Sequence, residues 1–284
     1  MFIVYRVLEM KLGFASGCFL ERRKGFVVPH EIPEDVKSYP VELQVGRGYD
    51  YTDFGEVVSI HLPFTLYGVQ TIEGITVYRK LRGINIACLD EEQWKMDLKL
   101  FKSCIKEAAE RNVKYAVFHY GSCDCDGNPW RDERHRRLHW KREKEFLIEI
   151  SELAASKDIQ LLSENHPYGD GIFLNHIKHI TKIVEGGYAG VCLDFPHAYW
   201  RFTRFRDASL NDIINRFRES IQEVHLADSD GSSHAPLALD RGRINWRKLL
   251  SKLKDPLLVI IELRENPLES LRLVQKYCDE EPRE

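Results

Sequence analysis

Four residues with metal-binding side chains, Glu164, Asp194, His225 and Glu262, each stand near the downstream end of a short apolar run, at successive spacings of 30, 31 and 37 residues. The runs cover 158–165, 188–195, 221–228 and 257–264, and the segments between them carry helix-like apolar periodicity. Strand and helix therefore alternate. In a parallel (β/α)8 barrel the C-terminal strand ends converge on one face, so side chains from four different strands can share one ion. The pattern predicts an α/β fold, a single (β/α)8 TIM barrel over residues 10–284 with an irregular N-terminal part.

At 284 residues the chain suits one such barrel, a fold that commonly takes ~250 residues. A formal net charge of −3, from 41 basic and 44 acidic residues, gives no global attraction to nucleic acid or to an anionic membrane. The seven cysteines are scattered and odd in number, which points to a reducing cytosol. Cys123-Asp-Cys125 lacks the second thiolate pair of a structural zinc site and reads as a loop. No apolar stretch approaches the ~20 residues of a membrane span, and Arg6, Glu9 and Lys11 interrupt the N-terminal run where a signal peptide would be apolar. A soluble, cytoplasmic protein is expected, with residues 1–9 as an extension ahead of the first strand or the product of a misassigned start codon.

The first strand is expected at 10–15. An irregular Arg-, Gly- and Pro-rich stretch follows to about residue 39, in which only Pro33-Glu-Asp-Val-Lys37 suggests a helix. Strands are expected at 41–45 and 57–62, separated by Gly46-Arg-Gly-Tyr-Asp-Tyr51, which is too short for a regular crossover helix. From Asp90 the pattern is regular. Asp90 caps a helix to about Arg111, with Trp94, Leu98, Phe101 and Ile105 on one face. A strand at 113–120 and a helix at 130–156 precede the Glu164 strand. Further helices are expected at 172–185, 209–220, 246–254 and 267–277, with an aromatic loop after Asp194 at 199–205.

Carboxylate oxygens and imidazole nitrogens in one site suit a borderline divalent ion (Zn, Mn, Co or Fe) better than Ca or Cu(I). Such an ion polarises a hydroxyl or carbonyl, or lowers the pKa of bound water to ~7. One strand-end carboxylate is as readily a structural ion pair; four in register argue for a site.

The segments Leu162-Ser-Glu-Asn-His-Pro167, Val191-Cys-Leu-Asp-Phe-Pro-His197, Glu223-Val-His-Leu-Ala-Asp228, Arg243-Ile-Asn-Trp246 and Ile260-Ile-Glu-Leu263 together resemble the xylose-isomerase-like TIM barrels. That superfamily contains sugar isomerases and epimerases and the type IV apurinic endonucleases. The resemblance runs from about Met10 to Tyr277. Within the isomerase and epimerase branch it implies that Glu164, Asp194, His225 and Glu262 hold one metal. Glu164 and Glu262 would be the acid/base pair that moves a proton on the carbon beside a carbonyl, and His197 would contact a sugar hydroxyl. That branch often carries an arginine a few residues beyond the seventh-strand histidine, where this chain has Asp228-Ser-Asp-Gly231. The endonuclease branch clamps a phosphodiester with two or three zinc ions. For it, the resemblance adds His61, His119, His197 and His234 to the ligands. An aspartate that the branch places two residues before the His234 position is Ser232 here, leaving Asp228 or Asp230 as substitutes.

The remaining histidines read as structural. His135 and His139 share a helix face but lack a neighbouring glutamate, so both are expected in solvent. His166 is expected to support the site or the fold, because Pro167 ends its strand. His30, His176 and His179 carry no signal. The loop at 199–205 is expected as a pocket wall or lid, with Trp200 and Arg201 contacting substrate. DNA contacts would fall to Arg47 and the run at 130–137, with Tyr49, Tyr51 or Trp200 stacking on bases, although the charge-rich helix reads first as a solvated face.

Three functions follow, in order. The first is a divalent-metal-dependent isomerase or epimerase of a small sugar or sugar-like polyol, with one Zn, Mn or Co ion. The second is a zinc phosphodiesterase acting at abasic DNA with two or three ions. The third is a non-catalytic ligand-binding barrel.

Overall fold

The computed structural model describes residues 10–16, 20–23, 26–29, 34, 37–44, 56–72, 75–121, 133–166, 176–233, 235–254, 257–263 and 265–280. Strand β1 (Met10–Ala15) is followed by an antiparallel pair, β2 (Leu20–Arg23) and β3 (Phe26–Pro29). Then come β4 (Val41–Gln44), β5 (Val57–His61) and a second antiparallel pair, β6 (Thr65–Ile72) and β7 (Ile75–Gly83). From α1 (Glu91–Glu110) helices and strands alternate: β8 (Tyr115–His119), α2 (Glu133–Ala155), β9 (Gln160–Glu164), α3 (His176–Glu185) and β10 (Gly190–Asp194). Two helices, α4 (Phe195–Phe205) and α5 (Leu210–Phe217), precede β11 (Ile221–Leu226). The chain ends through α6 (Trp246–Leu250), β12 (Leu257–Ile261) and α7 (Pro267–Asp279).

Eight strands close a parallel barrel in the order β1-β12-β11-β10-β9-β8-β5-β4, with β4 pairing back onto β1. The expected TIM barrel is therefore present. Strands as apolar as Leu257-Leu-Val-Ile-Ile261 are buried throughout, as parallel strands covered by helices outside and by side chains inside must be. Successive side chains point to opposite faces. Val117, Leu162 and Cys192 form a small apolar cluster of their own, and two residues further along the same strands stand His119, Glu164 and Asp194. The interior thus turns from apolar to polar toward the C-terminal strand ends. Gly13 permits the closure, because a Cβ there would lie 2.5 Å from the carbonyl oxygen of Pro40, which accepts the Phe14 N–H at 3.0 Å.

Helix α1 starts as expected, with the Asp90 side chain accepting the Gln93 N–H at 2.8 Å. Its Trp94 and Phe101 pack edge-on against Phe146 of α2, with centroids 5.8 and 5.1 Å apart. Helix α5 begins with a capping box between Ser209 and Asp212.

Two expectations about the chain path are corrected. The stretch after β1 and the segment 65–83 hold β2, β3, β6 and β7, which join in a four-stranded antiparallel sheet of order β2-β3-β7-β6. Both insertions leave the barrel at C-terminal strand ends. The expected aromatic loop at 199–205 is instead helix α4, because Asp194 caps it through the His197 N–H and Pro196 suits its first turn. The extension at 1–9, most of the expected helix at Pro33, and Arg47, Tyr49, Tyr51, Cys123, Cys125 and Trp130 lie outside the described residues. No helix among the described residues is long and apolar enough to cross a membrane.

Candidate metal centre

The barrel brings Glu164 from β9, Asp194 from β10, His225 from β11 and Glu262, just beyond β12, to one point. One donor atom from each lies within 4.8 Å of the others. His225 Nδ1 is buried and makes no hydrogen bond among the described residues, yet it stands 3.0 Å from Glu262 Oε2 and 3.6 Å from Glu164 Oε1. Donor atoms from four strands crowded this closely face a shared centre. The Asp194 backbone is clamped by Asn165, whose side chain accepts the Asp194 N–H and donates to its carbonyl, each at 2.8 Å.

His61 and His119, from β5 and β8, form a second group with Glu164. His61 Nε2 donates to Glu164 Oε2 at 2.8 Å and its Nδ1 donates to the Leu62 carbonyl at 2.8 Å. His119 Nε2 lies 3.4 Å from the same Oε2, and its Nδ1 is buried without a hydrogen bond among the described residues. The other oxygen, Glu164 Oε1, faces His225 and also His197 Nδ1 at 3.3 Å. Glu164 therefore stands between two donor sets, one on each oxygen. Glu262 is the open member of the first set, with 29% of its side chain exposed against 1% for Glu164.

The charges follow from this crowding. Burial pushes the Glu164 carboxyl up, but the surrounding imidazoles outweigh it and hold the group well below the usual carboxylate range. Burial, reinforced by Glu164 and Glu262, raises Asp194 to about 7. His61 and His197 reach about 9 because their carboxylate neighbours outweigh burial. Burial lowers His119 well below the normal imidazole value, so it is neutral.

Other expected residues fall elsewhere. Arg201 is buried and ion-paired to Asp207 at 2.6 Å. Trp200 packs edge-on to Phe205 at 5.2 Å. The Asp228 carboxylate accepts the backbone N–H groups of Ser229, Gly242 and Ile244, which commits it to its loop. Asp230 is exposed and accepts from the Ser232 hydroxyl and N–H. His234 lies outside the described residues. His135 is exposed as expected, but His139 is buried and bonded to the Ala87 carbonyl at 2.7 Å, which corrects its placement in solvent. His166 stands edge-on to His119 at 5.0 Å, in a supporting position.

Sequence reasoning missed Glu42, Gln44 and Glu223, which are buried around His225 and Glu262, and the buried pair of His179 with Glu143 at 2.8 Å. An acid inside an apolar strand run was the available signal for the first and third.

A family model for xylose isomerase-like TIM barrels matches residues 59–277. The chain belongs to this family. It is 24% identical over 276 residues to an uncharacterized protein of Methanocaldococcus jannaschii, MJ1614, in a match that covers 93% of this chain and 96% of the relative. Its structure is similar to that of a D-tagatose 3-epimerase-like protein, with a TM-score of 0.70 and 20% identity over 94% of this chain and 97% of the other. It is also similar to endonuclease IV from Thermus thermophilus, with a TM-score of 0.54 and 20% identity over 86% and 89% of the two chains. At such identities the likeness establishes the shared fold.

A divalent ion fits this member of the xylose isomerase-like family. The buried Nδ1 of His225, which makes no hydrogen bond among the described residues, and the mixed oxygen and nitrogen donors around it are features that suit such an ion.

Proposed function

We propose that the protein is a metal-dependent phosphoester hydrolase that holds two divalent ions, with zinc the best match, at the C-terminal mouth of its barrel. The observation that carries this reading is Glu164, whose Oε2 faces His61 and His119 while its Oε1 faces His197 and His225. A one-ion site is complete with Glu164, Asp194, His225 and Glu262, and would leave His61 and His119 as substrate contacts, whereas their approach to one Glu164 oxygen suits a second ion. Two ions held side by side would neutralise the charge of a phosphodiester and activate its attacking and leaving oxygens.

The chain's own groups have separate duties in this reading. The Leu62 carbonyl keeps the Nδ1–H of His61, so that loss of the Nε2 proton leaves a lone pair aimed into the site. His119 needs no deprotonation, since burial already keeps it neutral. Glu262, partly exposed and held ionised by His225, is placed to accept a proton from water entering the mouth. His197, on the first turn of α4, faces both Glu164 and Asp194 and borders the substrate space.

A sugar isomerase or epimerase is the second reading. It is favoured by the approach of both Glu164 and Glu262 to His225 Nδ1, at 3.6 and 3.0 Å, a pair suited to removing and returning a proton.

The ratio of metal to chain, with element identity, separates the two. Close to two ions per chain, together with chelator-sensitive cleavage of bis-p-nitrophenyl phosphate or of an abasic duplex, is the expected result. In that case His119→Ala should lower the content by one ion, and Glu164→Ala should lower it by both. One ion per chain with turnover of a ketose or polyol would replace the hydrolase reading with the isomerase one.

A further inference from the structure

Strand β4 contributes none of the candidate ligands, yet it sends two polar residues into the barrel beside them. Glu42 and Gln44 are two residues apart and so share the inward face. Their register with β5 sets their depth. Glu42 is level with Ser59, one layer beneath the ligands, and Gln44 is level with His61, in the ligand layer. Glu42 is fully buried, and its Oε1 has no hydrogen-bond partner among the described residues. A carboxylate so placed is costly unless a charged partner offsets the lost hydration.

We propose that β4 positions the metal ligands: Glu42 fixes the ring of His225 by accepting its Nε2–H, and Gln44 fixes Glu262 by donating its side-chain N–H. The proposal rests on the reading that His225 and Glu262 hold an ion, and it applies to either reaction. Glu42 Oε2 lies 3.1 Å from His225 Nε2, and Gln44 Nε2 lies 3.3 Å from Glu262 Oε1. Once an ion has displaced the Nδ1 proton the ring keeps one N–H, and the carboxylate at Nε2 holds it there, so that the lone pair of Nδ1, which lies 3.0 Å from Glu262 Oε2, is left for the ion. The Gln44 bond occupies Oε1 of Glu262 and leaves Oε2, the oxygen nearest His225, for the ion. Gln44 is itself held, because its backbone N–H donates to the Ser16 hydroxyl at 2.9 Å.

Glu223 is the other carboxylate near His225 Nε2, but it is less well placed. Its Oε1 is 3.5 Å away and accepts the Ser59 hydroxyl at 3.1 Å. The division assigns the orienting bond to Glu42 and leaves Glu223 to the Ser59 side of the interior.

The test is zinc and cobalt affinity, measured by chelator competition on wild-type protein and on Glu42→Gln, Glu42→Ala and Gln44→Leu. Loss of an outer hydrogen bond of this kind weakens metal binding by roughly 10- to 100-fold. Glu42→Gln keeps the shape and an acceptor but loses the charge, so about tenfold is expected, with Glu42→Ala nearer 100-fold and Gln44→Leu about tenfold. Circular dichroism should show all three folded. Wild-type affinity in folded Glu42 variants would overturn the proposal. A second readout does not depend on the variants. In zinc-loaded wild-type protein, nitrogen-15 NMR should find Nε2 of His225 protonated and Nδ1 not, and the reverse assignment would overturn the proposal whether or not the variants fold. A wild-type protein that binds no divalent ion would instead bring down the metal reading, and the proposal with it.

Discussion

His61 and His197 hold their protons to about pH 9 in the metal-free protein, and a divalent ion must displace protons to reach these rings. Zinc binding near pH 7.5 is therefore expected to release protons, with apparent affinity climbing until about pH 9. Calorimetry in buffers of different ionisation enthalpy measures the release, and a heat independent of buffer would contradict it. Stability has the opposite dependence. Both imidazoles are raised from 6.5, so their contribution to the metal-free fold is complete below pH 6.5 and is lost as pH rises through about 9. Denaturant unfolding of chelated protein should give a lower midpoint at about pH 9.5 than at about pH 6.5. Of the residues involved, those at strand ends were legible in sequence because several metal-binding groups closing successive apolar runs in register have few structural uses. Glu42 and Gln44 were not, since one layer's difference in depth leaves no mark on so short a run, and the partners of Glu42 and Gln44 are 183 and 218 residues away.

Helices α2 and α3 are tied to each other by Glu143 and His179, both fully buried, and Glu143 also accepts the Gly121 N–H at 3.2 Å at the end of β8. Replacing His179 with alanine strands a buried carboxylate, which should cost about 3 kcal/mol in a denaturant titration. A loss under about 1 kcal/mol would mean that water or another group takes over the bond. The capping box of α5 lies on the surface, and Ser209→Ala should cost only about 1 kcal/mol, read as a melting temperature lower by a few degrees. Helices were legible where a cap and a 3.6-residue stripe coincide, as from Asp90 onward. Helix α4 was not, because its first turn is Phe-Pro-His and its polar positions are arginines among aromatics. The sheet of β2, β3, β7 and β6 escaped for a different reason. Its central pairing joins Phe26 to Arg79 and Val27 to Tyr78, a contact that no local window contains, although the alternation in Ile75-Thr-Val-Tyr-Arg was a usable sign of a strand.

As a whole the molecule is a barrel whose mouth concentrates buried charge, and ion binding should register as global stability. Zinc at about 100 times its dissociation constant adds ~2.7 kcal/mol to a fold that binds it only when native. The melting temperature should rise by roughly 5–10 °C and fall back on chelation; an unchanged transition would show that no ion is held in the native state. The rise need not come in two independent increments. Glu164 offers one oxygen to each donor set, so in the proposed two-ion reading the ion that arrives first would fix the rotamer and the charge of a side chain that the other ion would also require. Occupancy of one half then changes the affinity of the other by a factor that must be equal in both directions. Under limiting metal the share of half-filled chains would read that factor directly: scarce where ordering Glu164 outweighs the repulsion between neighbouring ions, abundant where the repulsion wins.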